Sequence, residues 1–337
     1  MMSCPHLPRD NTIAVVIPVF DDEPNLLTLL RHVQDVMAKA TLSGHLVIVD
    51  DGSPSPIDAD SVRAKVEFPV HVIYLRRNVG HQRAIAIGLS HVVAAELANA
   101  ILVMDADGED RPTDIPKLMS ILAGFDSSTI VVAKRVTRSE GTFFKICYHT
   151  YRTLFYFLTG NQIQFGNYSA MRIEAARRLT AMPELWLSLP AAVLQSRLAV
   201  CYVPTERGHR YFGQSKMHLV SLIQHGFSAI AVFANRVMTR ITLAAAAAVA
   251  LTSTASLLAI AMKIAGRAYP GWTTSVIATS LIVTLIALML SLISLLTALS
   301  GGVLFLPQPI AFYQSFIATI VTSTRDVTQT SETSTDN

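Results

Sequence analysis

The sequence predicts an α/β fold built on a mostly parallel sheet, followed by an interfacial amphipathic helix and a two-helix transmembrane hairpin. Three observations predict it. Short β-branched runs alternate with amphipathic stretches through the first two thirds of the chain, those runs end in acidic and turn-forming residues, and Ala268 to Thr324 carries no charged residue. Beyond position 240 the only basic residues are Lys263, Arg267 and Arg325, and the only acidic ones are Asp326, Glu332 and Asp336. The charge therefore belongs to an ordinary soluble domain, and the remainder is too apolar to be water-exposed. With a formal charge of +3 on 337 residues, this excludes a purely soluble protein, disorder over most of the chain, and nucleic acid as a partner bound by bulk charge.

Taken in order, residues 1–11 read as a polar tail. Ile13 to Val19, His45 to Asp50, Val70 to Leu75, Ala100 to Met104 and Ile130 to Ala133 read as buried strands. Between them Leu26, Leu29, Leu30, Val33, Val36 and Met37, and later Ala84, Ile87, Gly88, His91, Val92 and Ala95, recur at helical spacing. Alternation of this kind predicts a parallel sheet covered on both faces, with ligands bound beyond the carboxyl ends of its strands. Those ends are Asp21-Asp22-Glu23, Asp50-Asp51-Gly52-Ser53, Arg76-Arg77-Asn78 and Asp105-Ala106-Asp107. Each alone is also ordinary turn and cap chemistry; four on one rim favour a site.

The domain is expected to span 12–214. Residues 215–240 place Leu219, Leu222, Ile223, Phe227, Ile230, Ala231 and Ala234 on one face, which suits a helix lying on a membrane and equally a plain core helix. Apolar spans are expected at 241–264 and 273–299; the uncharged runs within them, Ile241 to Met262 and 273–299, each exceed the ~20 residues that cross a bilayer core. Residues 300–324 are apolar but broken by Pro307 and Pro309, and predict a re-entrant or interfacial piece. The Ser/Thr-rich tail 325–337 is expected to be disordered. Cys4, Cys147 and Cys201 lack metal or disulfide spacing, which suits a reducing compartment. The first apolar run is too short for a signal peptide, so the domain is expected on the cytosolic side of an inner, cytoplasmic membrane, in a multi-pass protein.

Asp105 and Asp107 stand two apart at a strand end and so share one side. Two carboxylates that close repel unless a cation lies between them, and hard oxygen ligands beside diphosphate select Mg2+ or Mn2+. Glu109 could add a third oxygen. A calcium loop fails on the position of Gly108, and a dinucleotide fold fails because Pro18 to Asn25 holds no glycine. Downstream, Glu206 to Lys216 packs Arg207, Arg210 and Lys216 with two glycines, a loop suited to clamping phosphate. A basic stripe for anionic lipid is the alternative.

These motifs, IPVFDDEPNL, VIVDDGSPSP, RRNVGHQRAIAIGL, VMDADGEDRPTDIP and RGHRYFGQSK in this order, resemble the family 2 glycosyltransferases of the GT-A fold, nearest the polyprenyl-phosphate glycosyltransferases. The resemblance covers about Ile13 to Arg240 and the paired spans. It implies that Pro18, Phe20, Asp22, Val49 and Asp51 hold the nucleotide base and ribose of a nucleotide-sugar donor. It further implies that Asp105, Ala106 and Asp107 form the DXD motif, that Asp105, Asp107 and Glu109 hold the metal, and that Arg135, Arg207, Arg210 and Lys216 face donor diphosphate and acceptor phosphate. Asp107, Arg210 and Lys216 would carry catalysis, an inverting, metal-dependent transfer from a UDP sugar to polyprenyl phosphate. Departures are Glu109 where glutamine is common, Gly108 for a bulky apolar residue, Arg111-Pro112 for a double proline, and Gly166-Asn167-Tyr168 for Gly-Asp-Phe. Two other readings stay open: a processive polysaccharide synthase, which needs a QxxRW motif, and a non-catalytic nucleotide-sugar-binding membrane subunit. The sequence does not choose between a monomer and a homo-oligomer.

Overall fold

The computed structural model describes residues 12–135, 142–213, 219–299 and 306–323. They fall into two compact units, one of residues up to 148, 163–229 and from 306 onward, the other of 149–162 and 230–305. The expected tails at 1–11 and 325–337 lie outside the described residues.

In the first unit, β1 (Thr12–Val19), β2 (Ser43–Asp50), β3 (Val70–Leu75) and β4 (Ala100–Val103) run parallel with β1 between β2 and β4. β5 (Thr129–Arg135) is also where the β-branched run predicts it, but not beside β4. The four-residue β6 (Ser169–Arg172) lies antiparallel between them, and β7 (Ala199–Thr205) pairs parallel with β5. β6 is too short to show a period, and β7 carries Pro204 one residue before its end, which an edge strand tolerates; neither is visible as a pattern.

The pleat sorts β1 into two cores. Ile13, Val15, Ile17 and Val19 face one side with α1 (Glu23–Lys39), α2 (Ala59–Arg63) and α4 (Ile115–Ala123). Ala14 and Val16 face the other with α3 (His81–Ala94), α6 (Ile173–Thr180) and α7 (Leu189–Gln195). Glu23 and Pro24 open α1 as the helix dipole and the fixed proline φ favour. Its stripe of Leu26, Leu29, Leu30, Val33 and Met37 is fully buried, each side chain contributing about 2 kcal/mol.

The segment after the second apolar helix corrects the sequence reading. Instead of a re-entrant piece, its described part forms α11 (Pro309–Phe312) and then β8 (Ile317–Ser323), which pairs antiparallel with β3. Trp186 Nε1 donates to the Pro307 carbonyl at 2.7 Å, and the Arg76 amide donates to Phe316 O at 2.9 Å. The prolines end the apolar run, and the β-branched stretch that follows satisfies its backbone on a sheet edge.

At the amino ends of β2 and β3 three histidines line up. His45 Nδ1 lies 3.3 Å from His71 Nε2, and the His71 and His91 rings are 5.5 Å apart. Burial, then the charges of His91 and His45, push His71 down to about 4; burial also lowers His45 and His91. The folded chain prefers these imidazoles neutral, whereas the unfolded chain protonates them near 6.5, so stability is complete above that value and falls as pH drops towards the folded value. Thermal unfolding is expected to show a lower Tm at about pH 5 than at pH 7, and His71→Phe is expected to shrink that difference.

The second unit holds α9 (Ala234–Ile264) and α10 (Trp272–Leu299). Thr252 pairs with Thr284 at 3.1 Å and Thr242 with Ser294 at 3.3 Å. Ten residues up one helix match ten down the other, so the two form an antiparallel hairpin. Both are long and apolar enough to cross a membrane, and Leu251 and Leu285, 72% and 57% exposed, point outward where a soluble core helix would bury them. The helix expected at 215–240 is divided: α8 (Leu219–Ala231) ends before Phe233, and Ala234 to Arg240 opens α9. Arg240 donates to the carbonyls of Tyr156 and Phe157, capping the last turn of α5 (Thr142–Thr159).

Candidate active site

Every feature below lies in the first unit, at the carboxyl ends of its parallel strands. The ladder continues past the strands: the Asp51 amide donates to Val19 O at 2.8 Å and the Met104 amide to Val16 O at 3.1 Å, which sets both acidic segments beside the end of β1. Pro18 and Val49 are cross-strand partners. Val49 is fully buried, while Phe20 is 42% exposed at the rim.

The acids there divide by what they already hold. Asp50 accepts from the Ser53 and Ile57 amides, and Asp51 accepts from Val79 N at 2.7 Å and Gly80 N at 3.0 Å. Both carboxylates close loops, with Asp51 fixing the start of α3, so turn chemistry accounts for this pair. Burial pushes Asp51 up against those hydrogen bonds.

Asp105 and Asp107 differ. Asp105 Oδ1 is sealed from solvent and takes no hydrogen bond of good geometry, although His81 Nε2 is 3.1 Å away. Burial raises its pKa, but His81, then Arg135 and Asn167, outweigh this and leave it below the usual range. Asp107 Oδ1 accepts from the Glu109 amide at 3.0 Å and Oδ2 lies 3.5 Å from Arg210. Burial, aided by the charges of Asp105 and Glu109, pushes Asp107 up. Ala106 between them is buried. Asp110 accepts from the Asp105 amide at 3.0 Å and pairs with Arg135 at 3.2 Å.

The expected cations converge from the other side. Glu109 pairs with Arg135 at 3.3 Å through one oxygen and with Arg207 through the other. Arg210 pairs with Asp22, donates to Phe212 O at 3.0 Å and faces Asp107. Asn25 Nδ2 donates to Asp22 Oδ1 at 2.6 Å. Asp22, Asp105, Asp107, Glu109, Arg135, Arg207 and Arg210 thus form one charged network, and Lys216 lies outside the described residues.

Sequence reasoning missed His81 and Gln82. Asn167 Nδ2 lies 3.0 Å from His81 Nε2, Gln82 Nε2 donates to Asn167 Oδ1 at 2.9 Å, and Gln82 Oε1 accepts from the Leu189 amide at 2.7 Å. The signal was available: GHQ, residues 80–82, follows the polar turn Arg76-Arg77-Asn78 at the third strand end and opens α3. His225 of α8 is lowered by burial and then by the charge of His81, while Asp105 opposes.

The donor set fits a hard divalent cation. Asp105 supplies a buried oxygen whose neighbour His81, 3.1 Å away, is poorly aligned to donate to it, and Asp107 stands two residues on. Among the described residues no three His, Cys, Asp or Glu side chains enclose a metal, consistent with Glu109 being turned to two arginines. A site of two carboxylates is how Mg2+ and Mn2+ are held when substrate phosphates complete the shell.

A mixed sheet with an acidic DXD rim defines the GT-A class of nucleotide-diphospho-sugar transferases. Residues 14–182, half of the chain, match Glycosyl transferase family 2, and the chain belongs to that family. The undecaprenyl-phosphate 4-deoxy-4-formamido-L-arabinose transferase of Erwinia tasmaniensis is 30% identical over 219 residues, covering 63% of this chain and 64% of the relative. The enzyme of that name from Salmonella choleraesuis is 28% identical with the same coverage. The chain thus matches just under two thirds of the length of these curated relatives. Glucosyl-3-phosphoglycerate synthase from Mycobacterium tuberculosis, solved with Mn2+, UDP-glucose and phosphoglyceric acid, superposes with a TM-score of 0.50 at 18% identity, over 67% of this chain and 80% of that one. It shares the fold.

Proposed function

We propose that the chain transfers a sugar from a nucleotide sugar, a UDP sugar, to the phosphate of a membrane polyprenyl phosphate, using a divalent cation and inverting the anomeric carbon. One observation carries this reading: the carboxylates of Asp105 and Asp107 share one rim with Arg210, which faces Asp107, and with Arg135 and Arg207, which pair with Glu109, while an amide, Asn167, stands beside His81 there. The names of the curated relatives support a polyprenyl phosphate acceptor; the UDP donor and inversion rest on the family resemblance.

The chemistry follows from the acceptor's charge. A phosphate monoester loses its second proton near pH ~6, so it arrives as a nucleophile and needs no base; Asn167, unable to take a proton, suffices. The obstacle is bringing two anions together. Arg210 and Arg207 screen the incoming phosphate, a role the sequence also gives to Lys216, and Arg135 holds Glu109 and Asp110 in place. Asp105 and Asp107 would hold Mg2+ or Mn2+, which when bound neutralises the departing nucleoside diphosphate. Pro18, Phe20, Val49 and Asp22 line the strand ends where base and ribose would lie.

Membranes containing the chain, given polyprenyl phosphate and a panel of radiolabelled nucleotide sugars, are expected to yield a labelled, solvent-extractable glycolipid that chelator abolishes. No labelled lipid from any donor would overturn the proposal. On this reading the catalytic unit faces the cytosol and Lys263 to Trp272 the outside; a cysteine at position 269 is expected to react with an impermeant label from outside, and one at position 337 only after lysis.

A further inference from the structure

We propose that Tyr211 is the positioning residue that holds the carboxylate loop, standing where position 108 has no side chain. The inference rests on the transferase reading for its consequence, though not for its geometry. Gly108 sits at φ +88°, and a Cβ there would lie 2.5 Å from Tyr211 Cε2 and 2.7 Å from Cζ. The ring therefore lies directly on the backbone between Asp107 and Glu109. Beneath it the Tyr211 amide donates to Asp107 O at 3.3 Å, and the Gly208 amide donates to Glu109 O at 2.9 Å. Gly208 is equally committed, since a Cβ there would fall 2.2 Å from Gly108 O.

The far end of the ring is anchored too. Tyr211 Oη pairs with His32 Nδ1 of α1 at 2.9 Å, and the ring packs against the core that α1 covers. One aromatic thus ties α1 to the loop bearing Asp105, Asp107 and Glu109, and with it the basic segment carrying Arg207 and Arg210. Sites of this kind need their groups held within about 0.5 Å, and a loop whose middle residue is a left-handed glycine has no side chain of its own for the purpose.

Two measurements on the full chain in detergent test this. The first is amide hydrogen exchange without ligand: Tyr211→Ala is expected to speed exchange at residues 107–110 by about tenfold while β1 and β2 stay protected, and Tyr211→Phe, which keeps the ring and loses only the pair with His32, is expected to stay much nearer the wild type there. The second is binding of UDP with Mn2+ together with steady-state kinetics. Tyr211→Ala is expected to weaken UDP·Mn2+ and lower kcat by about 10-fold or more with KM for polyprenyl phosphate unchanged; Tyr211→Phe, which loses only the pair with His32, is expected to recover most of both. Unchanged exchange at 107–110 in a folded Tyr211→Ala chain overturns the positioning role. So does loss of protection throughout the sheet, which marks the residue as general core. Faster local exchange in a wild-type background that binds no UDP·Mn2+ would instead count against the transferase reading alone.

Discussion

Asp107→Asn is expected to cut cation-dependent sugar transfer by about 10²- to 10³-fold without lowering Tm. The residue lies beyond β4, and asparagine keeps the Oδ1 acceptor that the Glu109 amide uses at 3.0 Å. What is lost is the charge that, with Asp105, would hold the cation. Burial and two neighbouring carboxylates already strain this group's ionised form, so neutralising it is not expected to weaken the fold. The check is transfer rate across a Mn2+ titration and in chelator, beside a melting curve. Wild-type turnover in the variant would remove Asp107 from the metal role.

Arg210→Ala and Lys216→Ala, each assayed in detergent, are expected to lower turnover by on the order of 10²-fold or more, because screening strengthens as two anions are forced together. If these cations served only to attract anionic lipid, each would be worth about 1 kcal/mol of membrane affinity, and detergent would erase the effect. Arg210 touches both Asp22 and Asp107, so its removal also leaves two carboxylates unscreened at the donor end. Near-normal rates in detergent would leave the lipid-stripe role as the survivor.

The frame of the fold is legible because its signals are periodic. Leu26, Leu29, Leu30, Val33 and Met37 could only be one buried helix face, and the β-branched runs of the parallel strands are buried on both sides. The carboxylate pair is legible because a spacing of two at a strand end needs no tertiary knowledge. What was hidden depends on contacts between distant segments. The amides of Val79 and Gly80 come to Asp51 from a distant loop, and Arg135 and Arg207 close on Glu109 from two other segments; no spacing in the sequence announces either. His81 reaches Asp105 and Asn167 only because α3 begins at the same rim. β8 is hidden for another reason: in a stretch without charge, a sheet edge and a membrane-dipping segment share one composition, and only the pairing partner β3 separates them.

The central claim is that the acceptor brings its own anion, so that a site with Asn167 in place of a base can act. Its most direct test is transfer by the purified chain from the active donor to polyprenyl phosphate and, in parallel, to polyprenol of equal length, with products identified by mass spectrometry. The account predicts a glycosyl phosphate on the first lipid and no product on the second. Comparable transfer to the alcohol would contradict it.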